Sequence, residues 1–341
     1  MCRHLAYLGP PTSLRSLLTD PPHSLYRQAW APRLQRHGTV NADGFGIGWY
    51  AAADPVPARY RRAVPIWGDL SLPDIARVTR SGAVLAAVRS ATEGTALGEA
   101  AAAPFGDGPW LFSHNGRLDG WPGSAAVIAG RAPAADGRDN GPPMASALPQ
   151  SSGAAALLSL EAMVDSAFLW ALALERLRAG CPMGAALAQT IAVVEAAGGT
   201  GRFNFLMTDG HSIAATACGD TLWYRRANED IAERAAGTAG ATAGTTGATA
   251  DPARPAARRT ELAAGTTEPA ACARTDLAPP DGLAFATSVL VASEPSDDEP
   301  GWIEVPDRHL LTATPREVSI QPLAAGASTP VHQRPPTVAA G

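Results

Sequence analysis

Apolar and polar positions along the chain fall into two kinds of pattern. Short apolar runs bounded by Gly, Pro, Asn and Asp predict strands at residues 3–9, 44–50, 83–89 and 109–113. Further strands are predicted at 203–208, 212–218, 221–225, 284–292 and 316–321. The run at 44–50, GFGIGWY, alternates glycine with larger residues. That leaves one strand face nearly bare and admits another backbone or a ligand close against it. The run AVLAAVR at 83–89 suits a buried strand, except for its terminal arginine. After the strand at 109–113 comes HNGRLDG, whose Asn-Gly and Asp-Gly pairs predict a turn. Asp209-Gly210 predicts a hairpin between two of the later strands.

Helical spacing is clearest at 161–178, EAMVDSAFLWALALERLR, where Ala167, Leu169, Leu172 and Leu174 crowd a core. Glu175, Arg176 and Arg178 mark its solvated C-terminal end, and a second helix is predicted at 183–197. Two stretches break the pattern. Residues 131–154 and 228–280 are rich in small residues and proline, with too few large apolar side chains to offset the entropy of ordering. They are expected to be flexible insertions in one domain spanning 2–325, with a disordered tail at 326–341.

Composition narrows the function classes. Hydrophobic residues make up 46% of 341, enough for a sizeable core, and the net charge is only −5. Without a basic run interleaved with aromatics, nucleic acid is not an expected partner. No segment approaches the ~18 consecutive apolar residues of a membrane span. The start, MCRHLAYLGPP, meets proline too soon for a secretory signal. A cytoplasmic protein without a membrane partner is therefore expected. Cys2, Cys181, Cys218 and Cys272 lie far apart without CxxC spacing, so neither a zinc site nor a disulfide framework is expected.

Five residues carry candidate chemistry. Cys2 follows Met1 and is small enough to allow removal of that methionine, which leaves a thiol and a free α-amine on one residue. An α-amine has a pKa near ~8 and can accept the thiol proton, so one residue supplies nucleophile and base. Arg89 closes an apolar run, where a guanidinium requires an anion: a bound carboxylate or a structural salt bridge. Asn115 and Gly116 offer a side-chain amide and an unobstructed backbone N–H, which suit either an oxyanion hole or an ordinary turn. Asp165 opens an apolar helix, where it either caps N–H groups or meets a ligand cation. His4 and His114 are expected to be structural, because the Cys2 amine makes a histidine base unnecessary.

Five motifs, MCRHLAYLG, NADGFGIGWY, VRSAT, SHNGRLDGW and VDSA, occur in this order. Together they resemble the class II glutamine amidotransferases. That resemblance implies an α+β fold, the four-layer αββα sandwich of the N-terminal-nucleophile hydrolases, and an amidohydrolase that needs no metal or organic cofactor. It implies Cys2 as nucleophile, with Asn115 and Gly116 as the oxyanion hole. On the substrate side it implies Arg89, helped by Thr92, on the glutamyl α-carboxylate and Asp165 on the α-ammonium. Asn41, Asp43 and Gly44 would shape the loop beside the nucleophile, with Asn41 and Asp43 counted among the substrate-binding residues. The substrate would be glutamine or another small γ-glutamyl compound.

The sequence also departs from the larger members. Ser90 stands where they often carry tryptophan, and nothing after residue 285 resembles an ammonia-using domain. A stand-alone hydrolase is therefore expected, with a leaving group larger than ammonia. Trp49, Trp110, Trp302, Asp297 and Asp298 are its candidate neighbours, because aromatic faces and carboxylates accommodate a cationic group. Two alternatives remain: a glutaminase subunit feeding a separate synthetase, and a catalytically silent γ-glutamyl-binding protein.

Overall fold

The first strand, β1 (Arg3–Ser13), sends alternate side chains into different clusters. Leu5 and Tyr7 pack with Leu14, Leu17, Leu25 and Leu72, whereas Ala6 and Leu8 pack with Leu111, Leu206 and Leu311. That division follows from the two-residue period of a strand. The computed structural model describes residues 2–91, 95–130, 157, 158, 160–227 and 287–323. They fall in one compact unit, while Asn228–Ala286 form a second unit that lies outside the described residues.

The remaining strands are β2 (Phe45–Ala51), β3 (Asp54–Arg62), β4 (Arg80–Val88), β5 (Phe105–Asp107), β6 (Trp110–Leu118) and β7 (Gly201–Thr208). They continue as β8 (Ile213–Ala217), β9 (Trp223–Ala227), β10 (Ser288–Ala292), β11 (Ile303–Glu304), β12 (His309–Ala313) and β13 (Val318–Pro322). The helices are α1 (Leu14–Leu18), α2 (Leu25–Gln28), α3 (Leu72–Val78), α4 (Gly123–Gly130), α5 (Asp165–Arg178) and α6 (Met183–Ala196).

One sheet has the order β11-β9-β10-β1-β4-β2-β3, the other β13-β12-β8-β7-β6-β5. Every pairing is antiparallel. The fold is therefore α+β with two antiparallel sheets. Alternation divides the second sheet as it does the first. Leu111, Leu206 and Ala215 join the cluster shared with β1 and β4. Their neighbours Phe112, Phe205 and Ala214 join Phe168, Leu169, Leu187 and Ile191 of α5 and α6.

Several expectations need correction. His114, Asn115 and Gly116 do not form a turn: β6 runs on through them, with Asn115 opposite Asn204 and Gly116 opposite Phe203. Pairing with β7 outweighs the local turn preference of Asn-Gly. The helix expected from 161 begins at Asp165, because Val164 is extended at φ −137 and ψ 149. Strands β3, β5, β11 and β12 match none of the predicted strands. β3 is a mostly exposed edge strand with Pro55 and Pro57, the one setting in which a sheet tolerates proline readily. The expected insertions at 131–154 and 228–280 and the tail at 326–341 lie outside the described residues, as does Thr92.

Candidate active site

The pairing registers bring the first candidates to one end of the first sheet. Arg3 faces Val88, and Val88 also faces Phe45. Cys2 precedes the first of these residues, Arg89 follows the second and Gly44 precedes the third. The Cys2 thiol is free and half-buried. Cys181 and Cys218 are also free thiols, and Cys272 lies outside the described residues.

Backbone bonds extend the sheet past its last residue. Arg89 N donates to Gly44 O at 2.8 Å, and Asp43 N donates to Arg89 O at 2.9 Å. Asp43 Oδ2 then accepts Ala91 N at 2.7 Å, which ties down the segment just after Arg89. Asn41 is buried beneath this loop and donates from Nδ2 to Gln28 O at 3.1 Å and Gln35 Oε1 at 3.0 Å. Both residues thus shape the loop beside Arg89.

Arg89 is buried, and it makes no ion pair among the described residues. Its Nη1 donates to Asp43 O at 3.3 Å, and its Nη2 to Thr95 Oγ1 at 3.2 Å and Ala96 O at 2.9 Å. Among the described residues only neutral acceptors hold the guanidinium, an arrangement that could accept an anion. Ala96 N donates in turn to Met163 O at 3.3 Å, two residues before Asp165. One short segment therefore links Arg89 to the start of α5.

Asp165 is buried and accepts two backbone N–H groups, Leu118 at 2.9 Å and Ser166 at 2.8 Å. The first bond ties α5 to β6, the strand of Asn115 and Gly116. Gly116 is glycine for a steric reason. A Cβ there would stand 2.0 Å from Arg202 O and 2.6 Å from His114 Nε2.

Both histidines are internal. His114 Nε2 lies 2.8 Å from the carbonyl of Arg202 and must donate, so Nδ1 accepts from Ser166 Oγ at 3.0 Å. Burial lowers the pKa of His114 against the opposing pull of Asp165. His4 Nδ1 pairs with Ser113 Oγ at 3.1 Å. Burial, with His114 and Arg3 nearby, pushes the His4 pKa down to about 3. Each ring is neutral and serves as a buried cross-link.

Two residues without a predicted role belong to the same neighbourhood. Ser293 Oγ accepts His4 N at 3.1 Å and Asn115 Nδ2 at 3.3 Å, joining β1 to β6. Glu294 is fully buried and accepts Arg33 N at 3.0 Å and Leu34 N at 2.7 Å, anchoring the loop that leads to Asn41. Both belong to the segment SEPSDDEPGW at 293–302, where a serine and a glutamate in a loop do not reveal their partners.

Two of the expected leaving-group neighbours are carboxylates already engaged by other side chains. Asp297 is engaged by Arg225 at 2.6 and 3.0 Å and by Trp302 Nε1 at 3.0 Å. Asp298 accepts His23 at 2.9 Å and Arg33 at 2.8 Å. Trp49 pairs with Val84, four residues along β4 from Val88. Trp110 lines an open cleft of about 920 Å³ with Gly9, Tyr50 and Gly82, at the far end of β1 from Cys2. No helix among the described residues is long and apolar enough to cross a membrane, and no group of metal-ligating residues occurs among them.

No protein-family model matches the chain. It is 35% identical over 323 residues to the γ-glutamyl-hercynylcysteine sulfoxide hydrolase of Mycolicibacterium smegmatis, covering 95% of this chain and 100% of that protein. The hydrolase of the same name from Mycobacterium tuberculosis is 34% identical over 323 residues, covering 95% and 97%. Among solved structures, the glutamine phosphoribosylpyrophosphate amidotransferase of B. subtilis superposes with a TM-score of 0.50 at 11% identity, over 95% of this chain and 50% of that one. An allosteric regulatory enzyme of purine biosynthesis gives 0.52 at 11% identity, over 95% and 49%. Those two structures share the fold alone. The relatives alike along nearly the whole chain are hydrolases, and the chain belongs to the family of the γ-glutamyl-hercynylcysteine sulfoxide hydrolases as a hydrolase itself.

Proposed function

We propose that this protein cleaves the γ-glutamyl amide of γ-glutamyl-hercynylcysteine sulfoxide, releasing glutamate and hercynylcysteine sulfoxide in ergothioneine biosynthesis, as a cytoplasmic enzyme. Removal of Met1 exposes the α-amine of Cys2. That amine takes the thiol proton as sulfur attacks the γ-carbonyl carbon, and Asn115 Nδ2 and the Gly116 N–H hold the oxyanion. The ammonium returns its proton to the departing amine, leaving a glutamyl thioester on Cys2. Water, deprotonated by the same amine, releases glutamate and restores the thiol. Arg89 binds the α-carboxylate bidentately, with help from Thr92, and Asp165 pairs with the α-ammonium. The layers stack as helix, sheet, sheet, helix, with this chemistry at one end of the two sheets. A single domain carries all of it.

The observation that carries the chemistry is the shared Ser293 hydroxyl, which bonds His4, two residues from Cys2, and the Asn115 amide at once. The family similarity supports the leaving group. A competition assay tests the substrate, with the sulfoxide conjugate and isotope-labelled glutamine present together and released glutamate read by mass. Preferential release from the conjugate is expected. Equal or better use of glutamine contradicts the assignment of the leaving group.

A further inference from the structure

The end of β10 departs from regular pairing. Leu5 faces Ala292, and the next pair is His4 with Ser293. Ser293 N donates to His4 O at 3.0 Å in the ordinary way. His4 N, however, donates to the Ser293 hydroxyl at 3.1 Å, while Ser293 O accepts Thr221 Oγ1 at 2.8 Å. The same hydroxyl accepts Asn115 Nδ2 at 3.3 Å, and Ser293 and Asn115 are both fully buried.

A hydroxyl oxygen has two lone pairs, and here two N–H groups occupy both. The Asn115 amide has no other hydrogen bond among the described residues, and its Oδ1 is buried without a partner. An amide nitrogen carries two N–H groups. With one directed at Ser293, the plane of the amide is set, and so is the direction of the second.

We propose that Ser293 is a positioning residue for the oxyanion donor. It holds the Asn115 amide so that the second N–H meets the oxyanion formed when Cys2 attacks. This rests on the hydrolase roles proposed for Cys2 and Asn115. A donor aimed at the developing charge strengthens only in the transition state, so its misalignment lowers kcat and leaves substrate binding nearly unchanged.

The test is a double-mutant cycle on glutamate release, in single turnover, with Ser293→Ala, Asn115→Ala and both together. Ser293→Ala is expected to lower kcat about 10- to 100-fold with little change in KM, less than complete loss of the donor. In the Asn115→Ala background it should cause no further loss, because the group it orients is gone. Ser293→Thr, which keeps the hydroxyl, should recover most of the rate. Ser293→Cys has nearly the same shape but a weak acceptor, and should lose rate even where Ser293→Ala fails to fold. An equal loss in both backgrounds, a loss confined to KM, or wild-type kcat in Ser293→Ala or Ser293→Cys overturns the proposal. A wild-type protein that releases no glutamate overturns the hydrolase reading itself, a result distinct from any pattern among the variants.

Discussion

Asp165 Oδ2 accepts the backbone N–H of Leu118 at 2.9 Å, so the first residue of α5 is bonded to the last residue of β6. The carboxylate expected to recognise an ammonium is therefore also a tie between two elements of the site. Asp165→Asn separates the two roles. An amide oxygen satisfies one of the two N–H groups at Asp165 and turns an NH2 toward the other, which costs about 1–3 kcal/mol of stability. A strong rise in KM for the γ-glutamyl substrate should accompany that loss. Denaturant unfolding and steady-state kinetics on the same preparation check both. Lowered stability with wild-type KM leaves Asp165 as a tie only.

Arg89 makes a complementary case. Its partners among the described residues, Asp43 O, Thr95 Oγ1 and Ala96 O, are all neutral, as the proposed binding of an α-carboxylate requires. Lysine keeps the charge and loses the planar fork. Arg89→Lys should raise KM by about tenfold or more, since hydrogen bonds to charged groups contribute about 1.5–3 kcal/mol each. A KM within error of wild type contradicts the assigned role.

Gly116 tests the donor strand sterically. Alanine there forces its Cβ against Arg202 O, 2.0 Å away, so β6 must move from β7. Gly116→Ala should lower the melting temperature and reduce kcat about 100-fold or more, the scale of a lost oxyanion donor. Gly123 on α4 has nothing within 4 Å of an added Cβ and is the control. Gly123→Ala should leave both quantities nearly unchanged. Wild-type kcat in Gly116→Ala rules out a close-packed oxyanion strand.

Much of this architecture was legible in the sequence because burial imposes a pattern. AVLAAV and FNFLMT are parts of β4 and β7, and Asp209-Gly210 connects β7 to β8, with Gly210 at φ 87. What escaped was long-range. The exposed strand β3 lacks apolar alternation, and HNG looks like a turn until β7 lies beside it. Ser293 is 178 residues from Asn115, and no local rule links a serine after a strand to an amide in another sheet. Residue type makes Trp49 and Trp110 candidate neighbours of the leaving group, whereas Trp49 pairs with Val84, four residues along β4 from Val88, and Trp110 lines a cleft with Gly9 and Gly82.

The buried histidines give a pH dependence with a definite sign. Burial lowers the folded-state pKa of both, that of His4 to about 3 from 6.5. Above the unfolded value both states hold a neutral ring, and the histidines add no slope. As pH falls below it, the unfolded chain takes up protons that the folded one refuses, and stability is lost toward the folded pKa. Each histidine contributes up to about 1.4 kcal/mol per pH unit in that window. His4→Gln should make the fall in unfolding free energy between about pH 6 and pH 4 shallower by about that slope. An unchanged slope shows that His4 protonates in the folded protein.

The identity of the nucleophile is tested most directly by mass spectrometry of the intact protein and its N-terminal peptide after incubation with 6-diazo-5-oxo-norleucine. The expected result is a chain lacking Met1, with one adduct on Cys2, none on Cys181 or Cys218, and loss of hydrolysis in step with labelling. A fully active protein that retains Met1, or inactivation with Cys2 unmodified, contradicts catalysis by an N-terminal cysteine.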